Sequence, residues 1–322
     1  MNYSTYDCID AGTENCPCYL ALTGDCLTCS RLQGKDSCDC NWKGVCIYNE
    51  FMQGNGRVNN PRKEFTAGIV RRKFYLDDLA VFVLDVGKGF AIKAGSPGSY
   101  VFMRGRKDTR FYDIPISVMH ADVERGQIHV AVKVISTKTK TLLEENEAFV
   151  LRGVYRNGIQ GLEAVRPRNL KNASVLLVAK GIGLAPAILT AESLGNRNRV
   201  DLVVDTEKIS TELVSDYLSE SGSETAGSGV EIHRIRYMSL GSEEDRQTLE
   251  RVMAEEKYDS VAVLASDYYV EQIGKLTERI LPEAKRAFSN NFRICCGEGV
   301  CGACSVVNAG GETIKMCKCQ LK

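Results

Sequence analysis

The sequence predicts a multi-domain chain in which an antiparallel β-barrel precedes a doubly wound α/β domain, with small cysteine-rich metal modules at both ends. Three observations carry that expectation. Short strands separated by glycine and proline fill the stretch from Glu64 to about Gly158. Strand and helix signals alternate from Lys171 onward. The 14 cysteines lie at the ends, eight from Cys8 to Cys46 and six from Cys295 to Cys319, with none between. The boundaries that follow are 1–60, 61–165, 166–290 and 291–322, and a chain of 322 residues is long enough to bury a substantial core.

Residues 1–60 show no hydrophobic period, so this stretch buries little surface and needs metal to hold a shape. Its candidate ligands are Cys16, Cys18, Cys26, Cys29, Cys38, Cys40 and Cys46, with the only tryptophan, Trp42, among them. Together with Cys8 they suffice for two four-ligand sites. Adjacent C-x-C pairs suit one compact tetrahedral zinc site poorly, which favours a [4Fe-4S] cluster or a mixture of ligands and spectators, with zinc as the alternative. Gly54-Asn55-Gly56 and Asn59-Asn60-Pro61 read as a linker.

Barrel strands are expected over Phe65–Phe74, Leu79–Asp85, Phe90–Ala94, Tyr100–Met103, Ile114–His120 and Gln127–Val134. A short helix over Thr139–Asn146 then closes the barrel. In the α/β part, strands are expected over Val175–Ala179, Val200–Val204 and Val261–Ala265. The helices between and after them are Ala185–Leu194, Thr206–Leu218, Glu243–Lys257 and Val270–Leu281. Leu249, Val252 and Met253 form an apolar stripe on the third of these.

The most specific chemistry is at the C-terminus, where Cys296, Cys301, Cys304 and Cys317 have the spacing C-x4-C-x2-C-x12-C. Three thiolates from one tight loop and a fourth from a returning segment suit a [2Fe-2S] cluster. Gly297, Gly299 and Gly302 let the backbone wrap closely around inorganic sulfide. A zinc ribbon is the alternative, although zinc prefers paired knuckles. Spacing leaves the roles of Cys8, Cys295 and Cys319 open.

Lysine plus arginine and aspartate plus glutamate both number 41, so no overall field draws the chain to nucleic acid or an anionic membrane. With no export signal and no apolar run of spanning length, the expectation is a soluble cytoplasmic protein whose clustered thiols bind metal rather than form disulfides. Thiolates so numerous suit an anaerobe. Gly-x-Ser-x-Gly, His-Glu-x-x-His and Walker sequences are absent, which removes the usual carriers of hydrolytic chemistry. His120, His129 and His233 read as satisfied polar residues rather than ligands.

A barrel, a nucleotide-type α/β domain and a C-terminal [2Fe-2S] loop, in that order, resemble the ferredoxin reductase superfamily over roughly residues 64–319. Within it the chain looks like the electron-transfer subunit of dihydroorotate dehydrogenase and the small subunits of sulfide dehydrogenase and NADH-dependent ferredoxin oxidoreductase. The N-terminal segment lies outside that likeness. The resemblance implies a flavin-type barrel holding FAD along Asp113-Ile114-Pro115-Ile116-Ser117-Val118, with Pro115, Ile116 and Ser117 as contacts. Asp113 stands where the family has an arginine and would repel a pyrophosphate, so Arg104 or Arg110 would have to reach round. Ser136-Thr137-Lys138-Thr139-Lys140-Thr141 replaces the family's glycine-rich turn under the pyrophosphate, making Lys138 and Thr139 candidate contacts at a hydroxyl-rich helix start.

Gly153-Val154-Tyr155-Arg156-Asn157-Gly158 looks like the loop beside the flavin, which adds Gly153, Asn157 and Gly158. The family's nicotinamide-domain signature Gly-Gly-x-Gly-x-Ala-Pro survives in part as Ala179-Lys180-Gly181-Ile182-Gly183-Leu184-Ala185-Pro186. Gly181 and Gly183 are therefore the candidate NAD(P) contacts, with a plain strand-to-helix turn as the alternative. A Cys-Gly-Pro-like turn in the family is here Ala265-Ser266-Asp267-Tyr268. The implied function is an electron-transfer subunit of an oxidoreductase complex, without catalytic residues of its own. It would pass electrons between FAD, the [2Fe-2S] cluster and a catalytic oxidoreductase subunit or ferredoxin-like carrier. The alternative is a non-catalytic adaptor or redox-sensing subunit with degenerate nucleotide sites and structural metal.

Overall fold

The two cysteine-rich ends fold together as one unit. The computed structural model describes residues 6–108, 113–221, 230–308 and 310–321. In it Tyr6–Cys8 (β1) pairs antiparallel with Cys319–Leu321, placing Cys8 opposite Cys319. The chain divides into one unit of Met1–Glu64 with Phe292–Lys322 and a second of Phe65–Asn291. Where the sequence reading puts one module at each end, Tyr6 and Leu27 from the N-terminal segment pack on Ile314, Met316 and Cys317 from the C-terminal one. Two short helices follow β1, α1 (Tyr19–Thr23) and α2 (Ile47–Gln53). Trp42 lies so close to Gly12 and Gly44 that a Cβ at Gly44 would come within 2.4 Å of its ring.

The second unit begins with the long strand β2 (Glu64–Leu76), then β3 (Leu79–Asp85), α3 (Lys88–Ala94), β4 (Tyr100–Gly105), β5 (Ile114–Asp122), β6 (Gln127–Lys133), α4 (Thr137–Leu143) and β7 (Ala148–Tyr155). The six strands close an antiparallel barrel in the order β2-β3-β6-β5-β4-β7. Period-two alternation turns Phe82, Val101, Met103, Ile116, Val118 and Phe149 inward, with Phe82 and Phe149 edge to face at 5.1 Å. Phe90–Ala94, read from sequence as a strand, is helix: Gly87 and Gly95 bracket it, and Ala91 and Ala94, three residues apart, are fully buried with Phe90 packed beside them. The sequence reading has no strand at β7, which completes the barrel.

The α/β part runs β8 (Ile159–Gln160), β9 (Ser174–Lys180), α5 (Leu184–Leu194), β10 (Arg199–Asp205), α6 (Thr211–Ser215), β11 (Leu218–Glu220), β12 (Val230–Ile232), β13 (Arg234–Met238), α7 (Glu243–Glu256), β14 (Ser260–Leu264), α8 (Asp267–Ile280) and β15 (Lys285–Ser289). Its main sheet has the order β13-β10-β9-β14-β15-β8, parallel except for β8, so the topological switch falls between β9 and β14. The helix expected over Thr206–Leu218 shortens to α6 and yields to β11, which pairs with β12. Helix α5 is buried on nearly every side: Leu189 joins the barrel core, and Glu192 reaches His120 on β5. A hairpin of β16 (Ser305–Val307) and β17 (Thr313–Lys315) precedes the last strand, β18 (Cys319–Leu321). Among the described residues no helix is long and apolar enough to cross a membrane.

Candidate functional site

The C-terminal loop turns through three glycines at positive φ, Gly297, Gly299 and Gly302, and brings its cysteines together. Sulfur contacts run in a chain: Cys301 to Cys296, Cys296 to Cys317, and Cys317 to Cys304. Backbone donors point at the sulfurs, with Glu298 N–H 3.3 Å from Cys296 Sγ and Cys317 N–H 3.3 Å from Cys304 Sγ. Contacts with Cys317 pull the Cys296 thiol well below the usual range, as they do that of Cys304, and push the Cys317 thiol up. Among the described residues, no three or more histidine, cysteine or acidic side chains surround a point suited to one metal ion. The contacts are pairwise, along a line. Cys295 is exposed, and Cys319 is buried in the adjoining apolar cluster, where burial pushes its thiol up to about 12.

Beneath this loop lies a closed set of four charges. Lys318, between two cysteines and fully buried, sits 2.5 Å from Asp10 and 2.9 Å from Glu298. Arg62 meets the same carboxylates at 2.8 and 3.3 Å. Two positive and two negative groups thus tie together the N-terminal segment, the linker, the cluster loop and the last strand. Burial opposes the Lys318 ammonium, but Asp10 and Glu298 outweigh it and raise its pKa.

The N-terminal cysteines separate into two sets. Cys16, Cys18 and Cys26, together with Cys8, line one cavity. Cys29 shares an apolar cluster with Cys16, Ala21, Leu32 and Ile47, against which Cys26 packs, and its N–H points at Cys26 Sγ at 3.4 Å. Cys38 and Cys40 lie 3.7 Å apart toward the surface, and Cys46 is exposed at the start of α2.

On the barrel, Ile116 points into the core and is removed from any site on the outer face, because successive residues of β5 alternate. Pro115 is exposed and Ser117 half-buried on that outer face, opposite Phe102 and Tyr100 of β4. Tyr155 of β7 stacks on Tyr100 at 5.2 Å, and the Arg152 guanidinium lies 4.6 Å over Phe102. Arg104 and Arg152 flank Asp113 at 2.5 and 3.6 Å, so its charge is neutralised and the surroundings are net positive. Arg152 and Tyr155 escape sequence reading, since β7 itself does; Arg110 lies outside the described residues. Thr139 spends its hydroxyl on its own turn, accepting from the N–H groups of Ile135 and Ser136, and α4 is a short helix. Lys138 is exposed beside it. Gly153 packs 3.2 Å from Val101, and Gly158 lets the chain pass Gly98, whose carbonyl oxygen a Cβ would meet at 2.8 Å. Asn157 is buried, its carbonyl accepting from Asn290 Nδ2.

Near the switch point the side chains at the strand ends pair with one another. Lys180, at the end of β9, reaches Asp205 at 2.6 Å and Glu207 at 2.7 Å, over the ring of Tyr269. Gly183 is required by packing: a Cβ there would overlap the Leu264 carbonyl at 1.9 Å. Gly181, at φ +58, faces open space. Past β14, Asn291 Nδ2 bridges the Ala265 carbonyl and the Asp267 carboxylate, fixing a negative charge at the turn. The three histidines all have partners: Glu192 for His120, Tyr217 for His129 and Asp201 for His233.

No family model matches the chain. It is 25% identical over 254 residues, 74% of this chain and 78% of the other, to an uncharacterized protein in the adh 3′ region of Clostridium beijerinckii. Its fold is similar to that of the NADH-dependent reduced ferredoxin-NADP oxidoreductase solved in work on flavin-based electron bifurcation, with a TM-score of 0.58, 20% identity, and coverage of 78% of this chain and 85% of that one. The ferredoxin reductase of carbazole 1,9a-dioxygenase gives a TM-score of 0.51 at 15% identity, over 71% of this chain and 69% of the other. The barrel and the α/β sheet together thus have the fold of the ferredoxin reductases.

Proposed function

We propose that this chain is the electron-transfer subunit of a flavin and iron–sulfur oxidoreductase, passing electrons between FAD, a [2Fe-2S] cluster and a partner protein. The observation that carries the reading is the line of sulfur contacts from Cys301 through Cys296 and Cys317 to Cys304, in a chain with a reductase fold. Cys296 with Cys301, and Cys304 with Cys317, form two pairs suited to two irons rather than one zinc. The N–H groups of Glu298 and Cys317 are placed to stabilise reduced sulfur.

The barrel face fits an anionic flavin nucleotide. Arg104 and Arg152 supply the positive charge that the lost family arginine would have given, and Pro115 and Ser117 offer surface beside them. A bound flavin accepts electrons in pairs and releases them singly, which is what links it to iron–sulfur centres. Direct reduction by a nicotinamide nucleotide is slow or absent without a partner, because Lys180 is engaged by Asp205 and Glu207 and Asp267 adds a negative charge near the strand ends. Electrons therefore enter or leave through a partner of the kind found in dihydroorotate dehydrogenase or sulfide dehydrogenase, with the N-terminal segment as a further metal-bound relay.

Anaerobic isolation followed by flavin, iron, sulfide and zinc analysis tests this. FAD released on denaturation and a spin-half signal on reduction are expected, with little bleaching by NADH alone. A protein that neither carries nor takes up FAD, or a Cys301→Ser variant with an unchanged cluster, would overturn it.

A further inference from the structure

We propose that the buried ion pair of Glu298 with Lys318 positions the backbone donors that face the C-terminal sulfurs, and that this placement raises the reduction potential of the cluster they hold. The inference rests on the [2Fe-2S] reading and deepens it by giving a role to side chains that are not ligands. The donors are the Glu298 N–H, 3.3 Å from Cys296 Sγ, and the Cys317 N–H, 3.3 Å from Cys304 Sγ. The thiols of Cys296 and Cys304 stand here for the thiolates that would bind iron.

Glu298 is the one residue with a side chain in Gly297-Glu298-Gly299, and both glycines stand at positive φ, +71 and +81. Glycine on either side leaves the peptide of residue 298 free to turn unless the side chain between them is held. Two cations hold it. Lys318 Nζ lies 2.9 Å from Oε2, and Arg62 reaches Oε2 at 3.3 Å and Oε1 at 3.4 Å. The lysine and arginine side chains are 1% and 5% exposed, so water competes weakly for these contacts. Asp10 grips both cations from its own side, at 2.5 Å and 2.8 Å, which keeps them from swinging away from the loop.

The same lysine anchors the second donor. Lys318 directly follows Cys317; its N–H bonds the Lys315 carbonyl at 2.8 Å, and its own carbonyl accepts from the Ile9 N–H at 2.8 Å. The segment that aims the Cys317 N–H at Cys304 is therefore held by backbone and side chain alike. A hydrogen bond to sulfur favours the state with more negative charge, and a cluster gains one negative charge on taking up an electron. Well-placed donors thus raise the potential. The Glu298 carboxylate, as a bare charge, would lower it. Placement and charge predict opposite signs when Glu298 is removed, so the two are separable.

The test is a redox titration followed by electron paramagnetic resonance, with electron–nuclear double resonance in light and heavy water, on the full chain reconstituted anaerobically with ferrous iron and sulfide. Wild type should show a strongly coupled exchangeable proton from the Glu298 N–H. In Glu298→Ala that proton signal should be lost and the midpoint potential should shift lower. Glu298→Gln, whose amide oxygen still accepts from Lys318 and Arg62, should keep the proton and return the potential to wild type or above it. A rise in potential in Glu298→Ala, or an unchanged proton signal, would show that only charge is felt and overturns the proposal. If Glu298→Ala holds no cluster, Glu298→Asp takes its place: it keeps the charge but is one methylene short of Lys318, so a lower potential is expected and an unchanged one overturns the proposal. Wild type without a spin-half signal on reduction removes the [2Fe-2S] reading and the proposal with it. A wild-type signal with any of the overturning results removes the proposal alone.

Discussion

Phe65–Asn291 is built on two large apolar clusters, one inside the barrel around Phe82 and Phe149 and one on the sheet around Leu176 and Val263. Among the described residues, the unit of Met1–Glu64 and Phe292–Lys322 shows two small clusters, both partly cysteine, and a fully buried lysine. The first can hold its shape by burying apolar surface. The second places thiols and charges where a core would be, so the pairing of its buried charges weighs more in its stability. The contrast separates an apolar scaffold from a thiol- and charge-bearing unit within one chain.

Removing metal should break the comparison most sharply. An iron chelator under reducing, anaerobic conditions should unfold the cysteine-rich unit and leave Phe65–Asn291 folded, since thiolate ligation in small metal modules supplies on the order of 10 kcal/mol. Hydrogen exchange read by mass spectrometry checks this: protection should collapse in residues 6–64 and 292–321 and persist in β3, β9 and β14. Equal loss in both units, or none, would show that the cysteine-rich unit does not depend on bound metal.

Next in size is the charge quartet. Lys318→Met leaves Asp10 and Glu298 buried with Arg62 alone, an uncompensated negative charge that should cost about 3 to 5 kcal/mol. The readout is the thermal midpoint of the cluster absorbance, compared with far-ultraviolet melting of the whole chain. A shift confined to the cluster band is expected. An unshifted band would mean that the thiols alone hold the unit.

In the scaffold the matching substitution is Leu189→Ala. Leu189 sits on α5 between sheet and barrel, and its truncation should cost about 2 to 5 kcal/mol through a cavity in the barrel core. Because one helix serves both layers, barrel and sheet should still melt together, at lower denaturant. Two separated transitions would show that the barrel and the sheet are independent.

Much of this division is legible in the sequence, and what is not has identifiable causes. Short runs punctuated by glycine and proline exposed β3, β5 and β6, and the spacing of Cys296, Cys301, Cys304 and Cys317 singled out a set that folding brings into contact. Strands β13 and β15 carry Arg234, Lys285 and Arg286 at exposed positions and Arg236 at a half-exposed one, so their apolar signal is diluted. Phe90–Ala94 is short enough for either period to fit. The quartet of Asp10, Arg62, Glu298 and Lys318 joins residues up to 308 apart in sequence, and no local pattern announces such a set. Asp113 looked repulsive because its neighbours Arg104 and Arg152 come from adjacent strands, one of which was not recognised. Cys8 was left without a role because strand pairing with Cys319, not spacing, fixes its place.

The smallest effect concerns pH and again belongs to the scaffold. His129 on β6 is held neutral, chiefly by burial and then by the positive charge of His120 and Arg71, which lowers its pKa to about 3. Asp122 works the other way, Arg125 adds to the lowering, and Tyr217 hydrogen-bonds its Nδ1 at 2.7 Å. The unfolded chain takes up a proton below about 6.5, and the folded chain resists until far lower. Its contribution to stability is therefore complete above 6.5 and lost as pH falls from there toward 3, by up to about 1.4 kcal/mol per pH unit. His120 behaves oppositely: Glu192 raises its pKa despite burial, so its contribution is lost as pH rises and cannot produce an acid limb. His129→Gln should flatten the fall in denaturation midpoint between about pH 6 and pH 4 while leaving the thiol unit's behaviour unchanged. A slope equal to wild type would mean that carboxylate pairs, not this buried imidazole, set the acid stability of the barrel.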